Sequence, residues 1–406
     1  MRFALLGNHP DGLDMAYALV ATGRHQIVAV TSPSLNAGPF ARLGENARRV
    51  DDLEEVLADP SVEAVIVASG PAHRDVHLRR ALQSERDVLC VYPPDPAPDL
   101  AYEAAMLQND SGRVLLPLLH EALHPGLLRL IELRTSREIR LGATVLIDLQ
   151  HQGSGAILQL AGTREDKPSI PGWHVLRTLG GEIAEVAAFA FAEEANVDAA
   201  LLTSGRFENG GLFRALFLPN QAQPLWRLVV VGEEGRAELE FPLGQPGPAF
   251  LTWNDTIGRT HEEAWDLCDP WPSLMKIFEQ ALANPAEAMQ SGKGPRPGGV
   301  TWQDAVRGLE LDDAARRSIE RRRASSMEYQ EASEEVGFKG TMTLVGCGLI
   351  WVVLLLFIVS IWVPPLRWGI VPVLVLFLGL QLFRWIIPRG RDQNEAQSKE
   401  AASRER

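Results

Sequence analysis

The sequence predicts a doubly wound parallel α/β domain, then an α+β domain with a mainly antiparallel sheet, then a helical hairpin of two apolar spans. Three observations carry this. Continuous apolar runs alternate with helix-like runs through residue 118, longer strand-like runs joined by Gly-containing turns follow, and two long stretches almost free of charge lie beyond residue 340.

The first run, Phe3 to Leu6, meets the turn "GNHPDG" and a helix-like Leu13 to Val20. Next come Gln26 to Thr31, the helical "DDLEEVLA", "AVIVAS" at 64–69, a helix over Ala72 to Gln83, "DVLCV" at 87–91, a further helix and "RVLLPL" at 113–118. Strands apolar on both faces and separated by helices imply a parallel sheet covered on both sides, so residues 1–118 form the first domain. From 119 to 325 the helix "PGLLRLIELR" leads into "EIAEVAAFAF", "DAALLTSGRF", "GLFRALFLP" and the hairpin-like "LWRLVVVGEEGRAELEF", closing on the charged helix "WQDAVRGLELDDAARRSIERRR". Consecutive strands joined by tight turns favour antiparallel pairing.

Residues 326–340 are polar and acidic and read as a linker. Thr341 to Val363 holds no charge and would run ~34 Å as a helix, enough for a bilayer core. Gly369 to Ile387 is nearly as apolar at ~28 Å, with Arg384 close enough to its end to snorkel. Residues 341–388 thus read as two transmembrane helices and 389–406 as a polar tail. Arg321, Arg322, Arg323 and Lys339 precede the first span, Arg389, Arg391 and Lys399 follow the second, and Arg367 alone lies between. This bias places both ends and the large domains in the cytoplasm, on an inner or cytoplasmic membrane.

The 39 Lys and Arg against 52 Asp and Glu leave an acidic chain, which argues against electrostatic capture of nucleic acid. Cys90, Cys268 and Cys347 are widely spaced and suggest neither a disulfide framework nor a thiolate metal site.

The opening turn has the placement of a dinucleotide-binding fingerprint, in which successive glycines make the tight turn, admit the pyrophosphate and allow close helix packing. Gly7 and Gly12 hold the first and third places. His9 takes the second, Pro10 removes a backbone N–H, and Asp11 puts a carboxylate at the end of the helix that favours anions. About twenty residues on, where an acidic residue would bind the ribose hydroxyls, the chain reads Thr31, Ser32, Pro33, Ser34. A hydroxyl there, at Ser32, favours NADP over NAD.

In its order of parts, residues 1–325 resemble the glucose-fructose oxidoreductase/inositol dehydrogenase/MocA (Gfo/Idh/MocA) family. The stretch "DDLEEVLADPSVEAVIVASGPAHRDVHLRRALQSERDVLCVYPP" carries most of the likeness, supported by "LGGEIAEVAAF", "VGEEGRAELEF" and "DAVRGLELDDAARRSI". The resemblance implies a nicotinamide dinucleotide in the first domain and a sugar or polyol against the second. Gly7, His9, Gly12, Ser32, Ser69 and His73 are the cofactor residues it marks.

The family's chemistry is altered here. Where it reads E-K-P, "VLCVYPP" has Val91 and Tyr92, leaving Tyr92 as the catalytic candidate, a proton donor that needs a neighbouring cation to work near neutral pH. Its Asp-x-x-x-His pair falls at about Lys167 and Pro171; Asp166 and His174 lie nearby at a different spacing. Separately, "HEALH" at 120–124 matches the zinc-peptidase pattern HExxH, but Pro125 restrains His124 from the helical geometry that zinc needs. His73 and His77 lie one helical turn apart without an evident third ligand, so no metal site is expected.

The expected function is therefore a membrane-anchored NAD(P)-dependent oxidoreductase of a small sugar-like substrate. The alternative is a catalytically altered relative that binds a nucleotide, sugar or protein at the membrane. The second-domain sheet is also a candidate face for a homo-oligomer.

Overall fold

The computed structural model describes residues 1–31, 36–95, 98–135, 141–153, 169–191, 200–219, 224–242, 247–255, 257–285 and 299–327. Six strands form a wholly parallel sheet: β1 (Arg2–Gly7), β2 (Gln26–Thr31), β3 (Arg48–Arg49), β4 (Ala64–Ala68), β5 (Asp87–Val91) and β6 (Leu115–Leu118). Their order is β3-β2-β1-β4-β5-β6, the order that places a dinucleotide crevice at the reversal beside β1. Between them run α1 (Pro10–Ala21), α2 (Ala37–Ala41), α3 (Leu53–Ala58), α4 (Pro71–Gln83) and α5 (Pro98–Ser111).

A 3₁₀ turn (His120–Leu123) and α6 (Pro125–Thr135) lead into the second sheet. Its strands are β7 (Thr144–Gln152), β8 (Ile183–Phe191), β9 (Ala200–Phe207), β10 (Leu212–Leu218), β11 (Leu225–Gly232), β12 (Arg236–Pro242), β13 (Gly247–Asn254), β14 (Thr260–Cys268) and β15 (Ser325–Ser326). The helices are α7 (Trp173–Gly180), α8 (Trp271–Ala283) and α9 (Trp302–Arg321). The order is β14-β13-β12-β11-β7-β10-β9-β8-β15. All neighbours are antiparallel except β7 and β10, which pair in parallel from Leu146↔Leu212. The sheet is therefore mainly antiparallel, as expected, with one parallel pair. The cause is β7, whose alternating "TVLIDLQHQ" escapes a search for continuous apolar runs, and which inserts between β10 and β11.

Burial follows from patterning. The first sheet has an apolar layer on each face. Phe3, Leu5, Ile66 and Leu89 pack with α1 and with Trp271, Leu274 and Phe278 of α8. Ala4, Leu6, Val65 and Val67 pack with α4, α5 and with Trp302, Ala305, Val306 and Leu309 of α9. Two helices from the second half of the chain thus complete the core of the first sheet. The other face of α9 covers the second sheet through Leu311 and Ala315. The opposite face of that sheet stays open. It carries the ion pairs Arg214–Asp148 and Arg227–Glu238 beside Phe189, Phe191 and Phe250, which are 63%, 68% and 56% exposed.

Among the described residues no helix is long and apolar enough to cross a membrane. The expected spans at 341–388, the tail, Ser32, Asp166, Lys167 and the linker from 328 on lie outside the described residues, whereas Ser326, expected in the linker, pairs in β15 with β8.

Asp312 on α9 fixes the segment leading into α7: its Oδ1 accepts from Ile170 N at 2.9 Å and from Trp173 Nε1 at 3.3 Å. Burial raises its pKa to about 6, against the pull of Arg316 and these bonds. The raised value means the charged form is disfavoured on folding, so its cost is complete above that pKa and vanishes below the ordinary carboxylate range. Asp312→Asn keeps both accepted bonds. It is expected to raise stability by on the order of 2 kcal/mol at neutral pH, a gain that disappears near pH ~4; urea unfolding of both proteins across this range checks it.

Candidate functional site

The opening turn is set by packing. Gly7 adopts φ +105°, and a Cβ there would lie 2.3 Å from Ala68 O; a Cβ on Gly12 would lie 2.2 Å from the Ala68 side chain. His9 N donates to Ala68 O at 2.9 Å. Both glycines therefore let the turn and α1 rest on the end of β4. His9 is the N-cap of α1, and its Nδ1 accepts from Asp11 N at 3.3 Å. The Asp11 carboxylate lies 3.7 Å from the same nitrogen. Burial lowers the pKa of His9, opposed by Asp11, and burial raises that of Asp11, opposed by His120 and His9.

The edges of β4 and β5 are held by polar side chains of α4. Ser69 Oγ donates to Leu6 O at 3.0 Å and also meets His77 Nδ1. A hydroxyl has one proton to give, so the second bond is donated by His77 Nδ1, fixing its tautomer. Arg74, 3% exposed, donates from Nε to Ser69 O at 2.9 Å and from Nη1 to Pro93 O at 2.6 Å. His73 is exposed and stacks on His77 with ring centroids 6.2 Å apart. Ser69 is thus spent on internal bonds, whereas His73 remains accessible at the crevice edge.

A dinucleotide fits this edge in part. The strand reversal, the Gly7/Gly12 cradle and the buried Arg74 cation suit it, and Thr31 Oγ1, at the ribose position ending β2, is buried without a hydrogen-bond partner among the described residues. The first N–H groups of α1 are less available, because Pro10 has none and that of Asp11 is taken by His9. When bound, the nicotinamide would supply hydride chemistry; Gly7, Gly12, Thr31 and Arg74 would hold it.

Tyr92, just after β5, is half-buried, with its hydroxyl buried and facing α9. A Cβ on Gly308 would lie 2.5 Å from Tyr92 Oη. Burial raises the tyrosine pKa well above its ordinary value, and Asp312 and Glu121 raise it further. Arg177 draws it down only weakly, so at neutral pH the group is held as a neutral hydroxyl that can donate a hydrogen bond. Its hydroxyl has no partner of normal geometry among the described residues. Ser169 is near enough to favour the phenolate slightly, and Ser169 Oγ is likewise without a partner of normal geometry among the described residues.

Behind them lies a buried charge cluster. Arg177, 1% exposed, binds Glu182 through Nε at 3.1 Å and Nη2 at 2.7 Å, and Asp304 through Nη1 at 2.9 Å. Asp304 also closes the capping box of α9 with Thr301. Burial opposes ionisation of Asp304, but its cationic neighbours and the Thr301 bonds outweigh it and hold the pKa low. His174 Nδ1 stands 3.9 Å from Asp304, and both His174 ring nitrogens are buried without a hydrogen-bond partner among the described residues. Burial lowers its pKa, so the ring is neutral at neutral pH and Arg177 is the effective partner of Asp304. On α9, Asp304, Gly308 and Asp312 share one face at i, i+4 and i+8.

"HEALH" forms no zinc site. His120 and Glu121 lie in the 3₁₀ turn, and His124 has ψ 127° before α6 begins at Pro125. His120 stacks on Trp271 and His124 on Phe241, at 4.7 and 4.3 Å between centroids. Among the described residues no group of three or more His, Cys, Asp or Glu could hold a metal ion. Glu121 instead acts electrostatically on Asp11, Tyr92, His151 and His174, linking the opening turn to the second domain.

The structure thus brings His9, Tyr92, Glu121 and His174 around one interdomain region. Arg74 and the stripe on α9 were missed from sequence; within that charged helix, Asp304, Gly308 and Asp312 at i, i+4 and i+8 were the available signal.

Gly308 lies inside a 20-residue helix, where glycine costs about 0.5–1 kcal/mol relative to alanine. Gly308→Ala is expected to destabilise the protein by about 1–3 kcal/mol through collision with the tyrosine. In a Tyr92→Phe background, which lacks the colliding oxygen, the same change is expected to be neutral or stabilising. A double-mutant cycle by chemical unfolding measures the coupling.

Residues 2–117 match the family model GFO_IDH_MocA, described as "Oxidoreductase family, NAD-binding Rossmann fold". No curated protein matches the chain. Among solved structures, a Desulfitobacterium hafniense protein described as an NADPH-dependent oxidoreductase is similar at 15% identity and TM-score 0.64, over 80% of this chain and 97% of that one. UDP-N-acetylglucosamine 3-dehydrogenase GnnA from Acidithiobacillus ferrooxidans is similar at 18% identity and TM-score 0.63, over 79% and 98%. The transcriptional regulator Gal80p from Kluyveromyces lactis is similar at 15% identity and TM-score 0.63, over 80% and 93%. Residues 2–117 are therefore similar to the Rossmann domain of the Gfo/Idh/MocA oxidoreductases, and the described chain as a whole shares the fold of these solved proteins.

Proposed function

We propose that the chain is a membrane-anchored oxidoreductase that uses NADP in preference to NAD to interconvert a sugar- or polyol-like carbinol and its carbonyl. The observation that carries this is the set of buried polar atoms left without partners among the described residues between the domains: Tyr92 Oη, Ser169 Oγ and both His174 nitrogens. Buried polar groups are nearly always paired, so such a set suits a ligand rich in hydroxyls. The one buried cation behind it, Arg177, is already matched by Glu182 and Asp304, which suits a neutral substrate better than an acid. Preference for NADP rests on the hydroxyl of Thr31, and on the expected one of Ser32, where NAD-binding folds place a carboxylate. Anchoring rests on the composition of 341–388, with the open sheet face available to a second copy.

A second reading has its own observation. Tyr92 is held as a neutral hydroxyl, no lysine stands beside it in sequence, and His9 and Asp11 close the pyrophosphate end, which suits a family-like protein kept for binding rather than turnover. The Gal80p fold likeness is consistent with such a use.

Titrating the purified full chain in detergent with NADPH and NADH, following nicotinamide fluorescence, separates these readings. Binding is expected for both, tighter for NADPH; no binding of either at millimolar concentration sinks the oxidoreductase and leaves the binding module. For the anchor, a reporter fused after Arg406 is expected to lie in the cytoplasm, and an external reporter would overturn the two-span hairpin.

A further inference from the structure

We propose that Asp11 is an internal competitor for the cofactor's diphosphate, and that neutralising its carboxylate opens the opening turn to a dinucleotide. This rests on the nucleotide reading above. The N-terminal end of a helix attracts negative charge, and here the chain supplies its own. Asp11 sits at the second position of α1, its carboxylate beside the His9 imidazole at 3.7 Å, while that imidazole takes the Asp11 N–H at 3.3 Å. A diphosphate approaching over Gly7 meets a carboxylate, and the Asp11 N–H it could use is already taken by His9 Nδ1.

Protonation reverses both. His9⁺ would turn from acceptor to donor, and a neutral Asp11 would end the repulsion. The surrounding charges bear on the same balance: His9 in the turn, Asp14 on α1, Arg74 on α4, and His120 and Glu121 in the 3₁₀ turn. Arg74 is engaged with two backbone carbonyls and has no carboxylate within ion-pair distance among the described residues, so it adds field without neutralising Asp11. Burial brings the two titrations toward each other, that of Asp11 up and that of His9 down. The affinity for a dinucleotide therefore rises as pH falls through the mildly acidic range.

Isothermal titration of the full chain with NAD⁺ tests this. NAD⁺ is stable in acid and its diphosphate stays ionised throughout, without the titrating 2′-phosphate of NADP. Wild type is expected to bind about tenfold more tightly near pH ~5.5 than near pH ~8, as expected for removing one nearby charge. Asp11→Asn should bind near pH ~8 about as tightly as wild type does in acid, with most of the pH dependence lost. Asp11→Ser, which also removes the charge, guards against a folding effect peculiar to Asn, and circular dichroism confirms that both fold. PH-independent wild-type affinity, or neutral variants that bind no better near pH ~8, would overturn the proposal while leaving the nucleotide reading intact. No binding by any of the three proteins at any pH removes both.

Discussion

The arrangement of the two sheets depends on one buried guanidinium. Arg177 is almost wholly removed from water, and such a charge is tolerated only when fully matched, since an uncompensated buried ion costs several kcal/mol. Glu182 and Asp304 provide the match. The residues come from the C-terminal end of α7, the chain entering β8 and the first turn of α9, so neutralising the charge fixes three elements at one point. Asp304 has a second duty, because its other oxygen closes the cap of α9. The start of the helix that covers both sheets is thus set by the residue that neutralises Arg177.

From that anchored start the face of α9 determines what surrounds the interdomain region. One turn on, Gly308 leaves room for the Tyr92 hydroxyl; a turn further, Asp312 pins Ile170 and Trp173 and so orients the helix bearing His174. A glycine and two buried acids cost stability in a helix, each for its own reason. Their common direction shows that the cost supports a geometry. That geometry leaves a tyrosine, a serine and a histidine with hydrogen-bonding capacity unmet among the described residues.

The fold was legible where burial alone decides structure. The five longer strands of the first sheet are apolar through their middles, and their runs mark them directly. β7, β13 and β14 were harder, because strands with one open face alternate and their outward positions carry Asp148, Phe250 and Glu262. α8 reads as an ordinary amphipathic helix, and nothing local shows that Trp271 and Phe278 return to the first sheet. The site was least legible. Arg177 and Asp304 are 127 residues apart, and an ion pair across that distance has no local pattern.

The opening turn shows why a fingerprint can report fold more faithfully than function. Gly7 and Gly12 are required by Ala68, whose backbone and side chain would collide with any larger residue, whether or not a nucleotide ever binds. Selection for stability alone would keep them. The position between them has no such constraint, and His9 there caps α1 by accepting the Asp11 N–H. The capacity to hold a diphosphate is therefore set by the protonation and orientation of His9 and Asp11. The glycines that a sequence search detects establish only that the strand and helix meet closely enough for the question to arise.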